Sequence, residues 1–314
     1  MNPFPDDRIP ADSARPVEPE AANIAGHECG RRDSLEVPEA SPSGIREGID
    51  AGARVVGSAQ SIIDGPIIEE PRDPAWSGLD VLRLTFLALV ALFIGASAIL
   101  AVAHFWIYPH SSLTGLTRIP LVAVAGQALG YMLVLAYMYV LVTWECGRPD
   151  FRVAMHWNWP HNIAPYLVAG VVLSLGLQLL AHLLPMPRNL PIDTFFQTPA
   201  EAWALTVFSV TLAPLMEELF FRGFLYPVLR RGIGLTAAIF VTAFAFALLH
   251  GAQLMFSWGP VLVIFLVGVV LTMVRAYKDS VAAGVLIHVA YNGTISGLMF
   301  VGTDGFRHLE KLNQ

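Results

Sequence analysis

Between Ala202 and Leu229 the chain is almost entirely apolar, yet it carries Glu217, Glu218 and Arg222. Each such charge at the centre of a membrane helix costs about 2.5–3.5 kcal/mol on an insertion scale. A cluster of three needs polar partners inside the bilayer, or a use for the charges, and an intramembrane cluster of this kind is first read as a functional site. Adjacent helical residues point about 100° apart, so Glu217 and Glu218 cannot both face one site. Arg222 follows Glu218 by four residues, the favourable Glu-then-Arg spacing. The spacing therefore predicts that Glu218 and Arg222 neutralise each other, leaving Glu217 to project into a cavity. An ion-pair cluster that only locks helices together is the plainer alternative. Pro214 and Gly223 flank the cluster and are expected to loosen the helix there.

Two further polar sets stand in apolar surroundings. His250 ends the run Phe246-Ala247-Leu248-Leu249-His250. His288 and Asn292 are four residues apart and so share one helical face. Alone, that pair could be an interhelical hydrogen bond. Taken together, Glu217, His250, His288 and Asn292 form a coherent hydrolytic set drawn from three helices. A Glu can take a proton from water. Imidazoles can bind a divalent metal such as zinc or act as acid and base. An Asn amide, with an imidazolium or a metal, can stabilise an oxyanion. Other intramembrane hydrolases find no support, since the chain has no HExxH, no GxSxG and no pair of membrane aspartates. His104 and His182 are lone histidines near the ends of apolar runs without a neighbouring acid, and carry no assigned role.

The elements that must hold these residues follow from hydropathy. Seven apolar runs read as membrane helices, roughly at 81–108, 121–143, 165–184, 202–229, 236–249, 260–274 and 281–301. The expected fold is all-α: a polytopic membrane bundle of about seven to eight spans. A short amphipathic piece near Phe195 and Phe196 is a candidate for the extra one. Gly293 and Gly297 have the small-xxx-small spacing that lets a helix pack closely. Residues 79–314 are expected to form the membrane-embedded domain, with the motifs inside about 165–302.

Residues 1–78 differ in kind. They hold 7 Arg, no Lys and 15 acidic residues among many Pro, Ser, Ala and Gly, a composition that reads as a disordered acidic tail. The remainder holds 12 basic and 10 acidic residues, so the formal net charge of −6 belongs mostly to the tail. No basic patch suggests nucleic acid. Two cysteines, Cys29 and Cys146, are too few for a disulfide framework or a cysteine metal site. With the tail in the cytoplasm, the cytoplasmic loops carry Arg148, Arg152, Arg230, Arg231, Arg275 and Lys278, and the opposite loops carry only Arg118 and Arg188. That bias fits a cytoplasmic N-terminus. The short C-terminal stretch, with Arg307 and Lys311, leans mildly the other way.

At these residues the chain resembles the CPBP family of intramembrane proteases, which includes the Ras-converting CAAX endopeptidase and Abi-type proteins. The family's EExxxR motif stands as Glu217 to Arg222, FxxxH as Phe246 to His250, and HxxxN as His288 to Asn292, in the family's order. The resemblance implies that Glu217 and His250 activate water, that His288 and Asn292 form the oxyanion site, and that Glu218 and Arg222 support the architecture. It also leaves open a zinc ion on His250, His288 and Glu217, since members have been described both as metal-dependent and as glutamate-dependent proteases. The partners it implies are membrane lipid and a membrane-associated protein or peptide, prenylated CAAX-type proteins being the substrates of the eukaryotic branch. Two other functions compete. One is a non-catalytic membrane scaffold or immunity protein on the same fold. The other is a proton-coupled transporter, against which the lack of an internal repeat counts.

Overall fold

The computed structural model describes residues 74–187 and 196–313. The expected tail up to residue 73, and Phe195, lie outside the described residues. Among those described there is no strand, and seven helices are long and apolar enough to cross a membrane. They are α1 Gly78–Ile107, α2 Pro120–Glu145, α3 Ala164–Ala181, α4 Pro199–Ile233, α5 Leu235–Leu254, α6 Trp258–Lys278 and α7 Val281–Gly302. This is the all-α membrane bundle that the hydropathy predicts. The chain is an integral membrane protein.

Local chemistry sets the helix ends. Ser77 opens α1 with a reciprocal capping box to Asp80. Thr198 and Pro199 open α4, where the missing N–H of proline costs nothing. Gly234, at φ 80°, separates α4 from α5. Asp279, at φ 49°, separates α6 from α7, and the Ser280 hydroxyl accepts from the Ala283 N–H.

Without a hydrophobic drive between spans, close packing rests on small residues. A Cβ placed on Gly95 of α1 would lie 2.5 Å from the Gly126 carbonyl oxygen, and one on Gly130 would lie 2.8 Å from the Leu92 Cα, so α1 and α2 touch backbone to backbone. Gly170 of α3 meets the Ile287 carbonyl of α7 in the same way. Gly268 of α6 approaches Ala243 of α5. Gly293 and Gly297 are not such a seam. The nearest atom to a Cβ on Gly293 is a Val210 methyl at 3.8 Å, and Gly297 has nothing within 4 Å. The close approach of α7 lies two turns earlier, where α3 covers it.

Helix α4 is the irregular one. Its regular ladder stops at Thr211, with φ −118° and ψ −77°, and Pro214 removes the N–H that would bond the Val210 carbonyl. After a short α segment, Leu212–Glu218, the helix widens into a π segment at Leu219–Leu225. Such segments are common at functional sites. Glu217 and Glu218 sit at this junction. Residues just before α1, which composition assigns to the tail, are docked here. Trp76 is buried, stacks on Phe224 at 4.8 Å and donates its indole N–H to the Phe224 carbonyl at 2.9 Å. Arg231 holds the same segment by donating to the Pro74 and Trp76 carbonyls. One aromatic with a polar handle and one arginine seat four residues that average composition groups with a polar tail.

Candidate active site

Three helices carry the motif residues, and a fourth braces them. Glu218 and Arg222 project from α4 into the protein, both fully buried, with Arg222 Nη1 2.8 Å from Glu218 Oε1. The pairing predicted from i,i+4 spacing is therefore present. Arg222 also donates to the Gly268 carbonyl at 3.1 Å and to the Thr272 hydroxyl at 3.3 Å. Its guanidinium lies over the Phe246 ring at 4.6 Å. Burying an ion pair costs several kcal/mol per charge, and only well-made supplementary hydrogen bonds offset it. Here α6 supplies them through one carbonyl and one hydroxyl.

Glu217 points the other way, into a cavity of about 1120 Å³. Its side chain is 12% exposed. His250 of α5 places Nε2 3.9 Å from Glu217 Oε1, and His288 of α7 places Nε2 3.7 Å from Glu217 Oε2. These gaps are too long for direct hydrogen bonds and short enough for one water molecule to touch both rings and the carboxylate.

The far nitrogen of each ring is fixed. His250 Nδ1 lies 2.9 Å from the Phe246 carbonyl, which can only accept, so Nδ1 carries a proton. His288 Nδ1 lies 3.0 Å from Glu218 Oε1, the oxygen that also accepts from Arg222. In their neutral forms both imidazoles therefore turn a bare Nε2 toward Glu217. Glu218 has more to do than pair with Arg222: the two carboxylates bracket His288, one at each ring nitrogen. Residues 100° apart on α4 achieve this because the ring itself spans the angle between them.

Asn292, one turn beyond His288, donates its amide to the Ser209 carbonyl at 2.7 Å. That carbonyl belongs to the last regular turn of α4 before the break at Thr211. The bond fixes which end of the amide is nitrogen and leaves its second N–H to serve the cavity that Asn292 lines. Phe246 is the packing hub. Its ring touches Arg222, His250 at 4.7 Å and His288 at 5.9 Å, so the aromatic of FxxxH sets the distance between both imidazoles and the ion pair.

The donors of Glu217, His250 and His288 are of the types that zinc takes, and both rings have outer partners of the sort that orient metal ligands. The rings face different oxygens of one carboxylate, and among the described residues no group of three His, Cys, Asp or Glu is arranged to hold a metal ion.

The cavity is wider than the three motif helices. Thr85 and Leu89 of α1 and Gln127 and Tyr131 of α2 also line it. These residues escape sequence reasoning, because single Gln and Tyr side chains in an apolar run carry no motif. No match is found among curated proteins or solved structures. Residues 199–294, which span α4 to the middle of α7, match the family described as type II CAAX prenyl endopeptidase Rce1-like. The helices that carry Glu217, His250, His288 and Asn292 thus lie in a segment similar to the Rce1-like family, in agreement with the CAAX protease resemblance of the three motifs.

Proposed function

We propose that this protein is an intramembrane endopeptidase that hydrolyses a peptide bond of a membrane-associated substrate, of which prenylated CAAX-type proteins are one class. The observation that carries this reading is the convergence of two imidazole Nε2 atoms on the carboxylate of Glu217 inside a mostly apolar cavity.

The chemistry follows from the fixed protons. Glu217 and the bare Nε2 of His250 are both acceptors, and a water molecule between them has two protons to give. As the water oxygen attacks the carbonyl carbon, one proton passes to Glu217 and the carbonyl π electrons move to its oxygen. General-base assistance of this kind contributes about 10²–10⁴-fold. The free N–H of Asn292 faces the developing oxyanion. His288 presents an Nε2–H to it only as the imidazolium, since Nδ1 already donates to Glu218, and the Glu218 carboxylate balances that charge. A single oxyanion donor contributes about 10²–10³-fold. Collapse of the tetrahedral intermediate breaks the C–N bond, and the proton held by Glu217 goes to the leaving amine.

The test is cleavage of a panel of fluorogenic CAAX-type and membrane-segment peptides by detergent-purified protein, with Glu217→Ala alongside, each with and without a chelator. Cleavage by wild type that is lost in Glu217→Ala and unaffected by chelation is the expected result. Chelator-sensitive cleavage would require a metal on the two imidazoles. A folded wild-type protein that cleaves nothing would replace this reading with the scaffold one.

A further inference from the structure

The cavity has a second polar centre, on a helix outside the matched segment. Gln127 Nε2 donates to the Tyr131 hydroxyl oxygen at 3.1 Å, one turn along α2. The Tyr131 ring stacks on Phe208 of α4 at 5.8 Å, so the hydroxyl is held from both ends. With its oxygen accepting from Gln127, the hydroxyl still has its own proton to donate, and no acceptor among the described residues takes it. Both side chains line the same cavity as Glu217.

A peptide entering this space brings backbone carbonyls that lose water. Each one left without a donor costs about 1–3 kcal/mol. The motif residues serve the scissile bond itself, so carbonyls on either side of it need other donors. Building on the protease reading, we infer that Tyr131 is a substrate-binding residue: its O–H donates to a backbone carbonyl adjacent to the scissile bond, and Gln127 is the positioning residue that aims it. On this arrangement α2 forms the wall of the cleft opposite the imidazoles. An extended peptide then lies between Tyr131 and the His250–His288 pair with its scissile carbonyl over Glu217.

The variant to measure is Tyr131→Phe in the full-length protein, which removes one oxygen and keeps the stack on Phe208. On a cleaved peptide, kcat/KM is expected to fall about tenfold, the worth of one net hydrogen bond. Gln127→Leu keeps the hydroxyl but frees its orientation, and falls between the two. Replacing single amides beside the scissile bond by esters weakens one carbonyl acceptor at a time. One such ester should slow wild type and leave Tyr131→Phe without further loss. A variant that slows every ester and amide substrate by the same factor has a structural role only, and the inference fails. It also fails if Tyr131→Phe matches wild type throughout. Fluorescence anisotropy of a non-cleavable reduced-amide peptide reads the contact without turnover, with binding expected to be about tenfold weaker in Tyr131→Phe. Wild type that binds this peptide but cleaves no substrate defeats the protease reading and leaves Tyr131 to be judged on binding, where equal affinities overturn its role.

Discussion

Glu217 and Glu218 are chain neighbours on different faces of α4. Around Glu218 the protein is dry. Arg222 donates to one carboxylate, one carbonyl and one hydroxyl, and Phe246 roofs it. The surroundings of Glu217 are open. Among the described residues its carboxylate pairs only with the two Nε2 atoms, across gaps of 3.9 and 3.7 Å, and it faces a cavity. The two environments are joined by His288, which meets one carboxylate with each nitrogen. A buried ion pair is a poor source of stability. Its use here is to hold the imidazole tautomer and aim, so that the open side can do chemistry with groups already in place.

The largest effect should come from the open side. Glu217→Gln keeps the shape of the side chain and removes the base, so kcat should fall by about 10²–10⁴. Thermal stability should change by no more than about 0.5 kcal/mol, because no buried partner is left unpaired. A variant that lost both activity and fold would show that Glu217 belongs to the closed side after all.

Changes on the closed side should do the reverse at first. Arg222→Met alone leaves Glu218 buried without its cation and should cost about 3–5 kcal/mol, measured by denaturation in detergent. Adding Glu218→Leu removes the stranded charge and should return most of that stability. Activity should not return with it, because His288 then lacks its Nδ1 partner. Losing an outer partner of this kind typically costs about 10–100-fold in metal sites, and a similar factor is expected here. Recovery of activity together with stability would break the claim that the ion pair orients His288.

Much of this contrast is legible in the residue order alone. The seven spans follow from apolar run length, and the Glu218–Arg222 pair follows from helical spacing. What sequence periodicity cannot see is contact between helices far apart in the chain. Glu218 and His288 are 70 residues apart, and their bond depends on how α4 meets α7. The π segment at 219–225 has no compositional mark beyond Gly223, because widening one turn changes partners and not residue types. The small-residue rule fails at Gly293 and Gly297 for a related reason. Spacing marks a helix face that can be approached, while Gly170, Gly268 and Gly284 are glycines whose missing Cβ atoms are used near the site. Gln127 and Tyr131 stay hidden because one hydrogen bond on a helix surface has no sequence signature distinct from ordinary polarity.

Gly284 gives a finer probe of the same contrast. A Cβ there would stand 2.6 Å from Glu218 Oε2, whereas Arg222 and His288 both bond Oε1. Gly284→Ala must push the carboxylate or tilt α7, and overpacking of this kind costs about 1–3 kcal/mol. Unlike the charge variants, it alters position without altering chemistry. Activity should fall further than stability alone explains, read as kcat at a temperature where the variant is fully folded. Unchanged kcat would mean that the aim of His288 tolerates movement of Glu218.

The smallest effect is expected where a carboxylate pairs at the edge of the bundle. Asp279, between α6 and α7, accepts from Arg275 at 2.5 Å and lies 2.9 Å from His156 Nδ1, while its own carbonyl accepts from Asn158 at 2.8 Å. Burial pushes its carboxyl up, but the His156 hydrogen bond and the Arg275 charge outweigh that and hold it below the ordinary carboxylate value. A carboxyl lowered on folding adds stability above its unfolded pKa of about 3.9, and loses it as pH falls through the lower folded value. The side chain is 59% exposed, so solvent screens the pair and its worth should be about 1 kcal/mol or less. Asp279→Asn is the proper comparison because the backbone is left-handed here, at φ 49°, a conformation Asn tolerates. The variant should be slightly less stable than wild type at pH 7, with the gap narrowing as pH falls toward about 3, measured by denaturation at both values. A deficit of several kcal/mol at pH 7 would mean that this edge carboxylate holds the fold as strongly as buried Glu218 does, and exposure would then not be what separates the two kinds of acid in this protein.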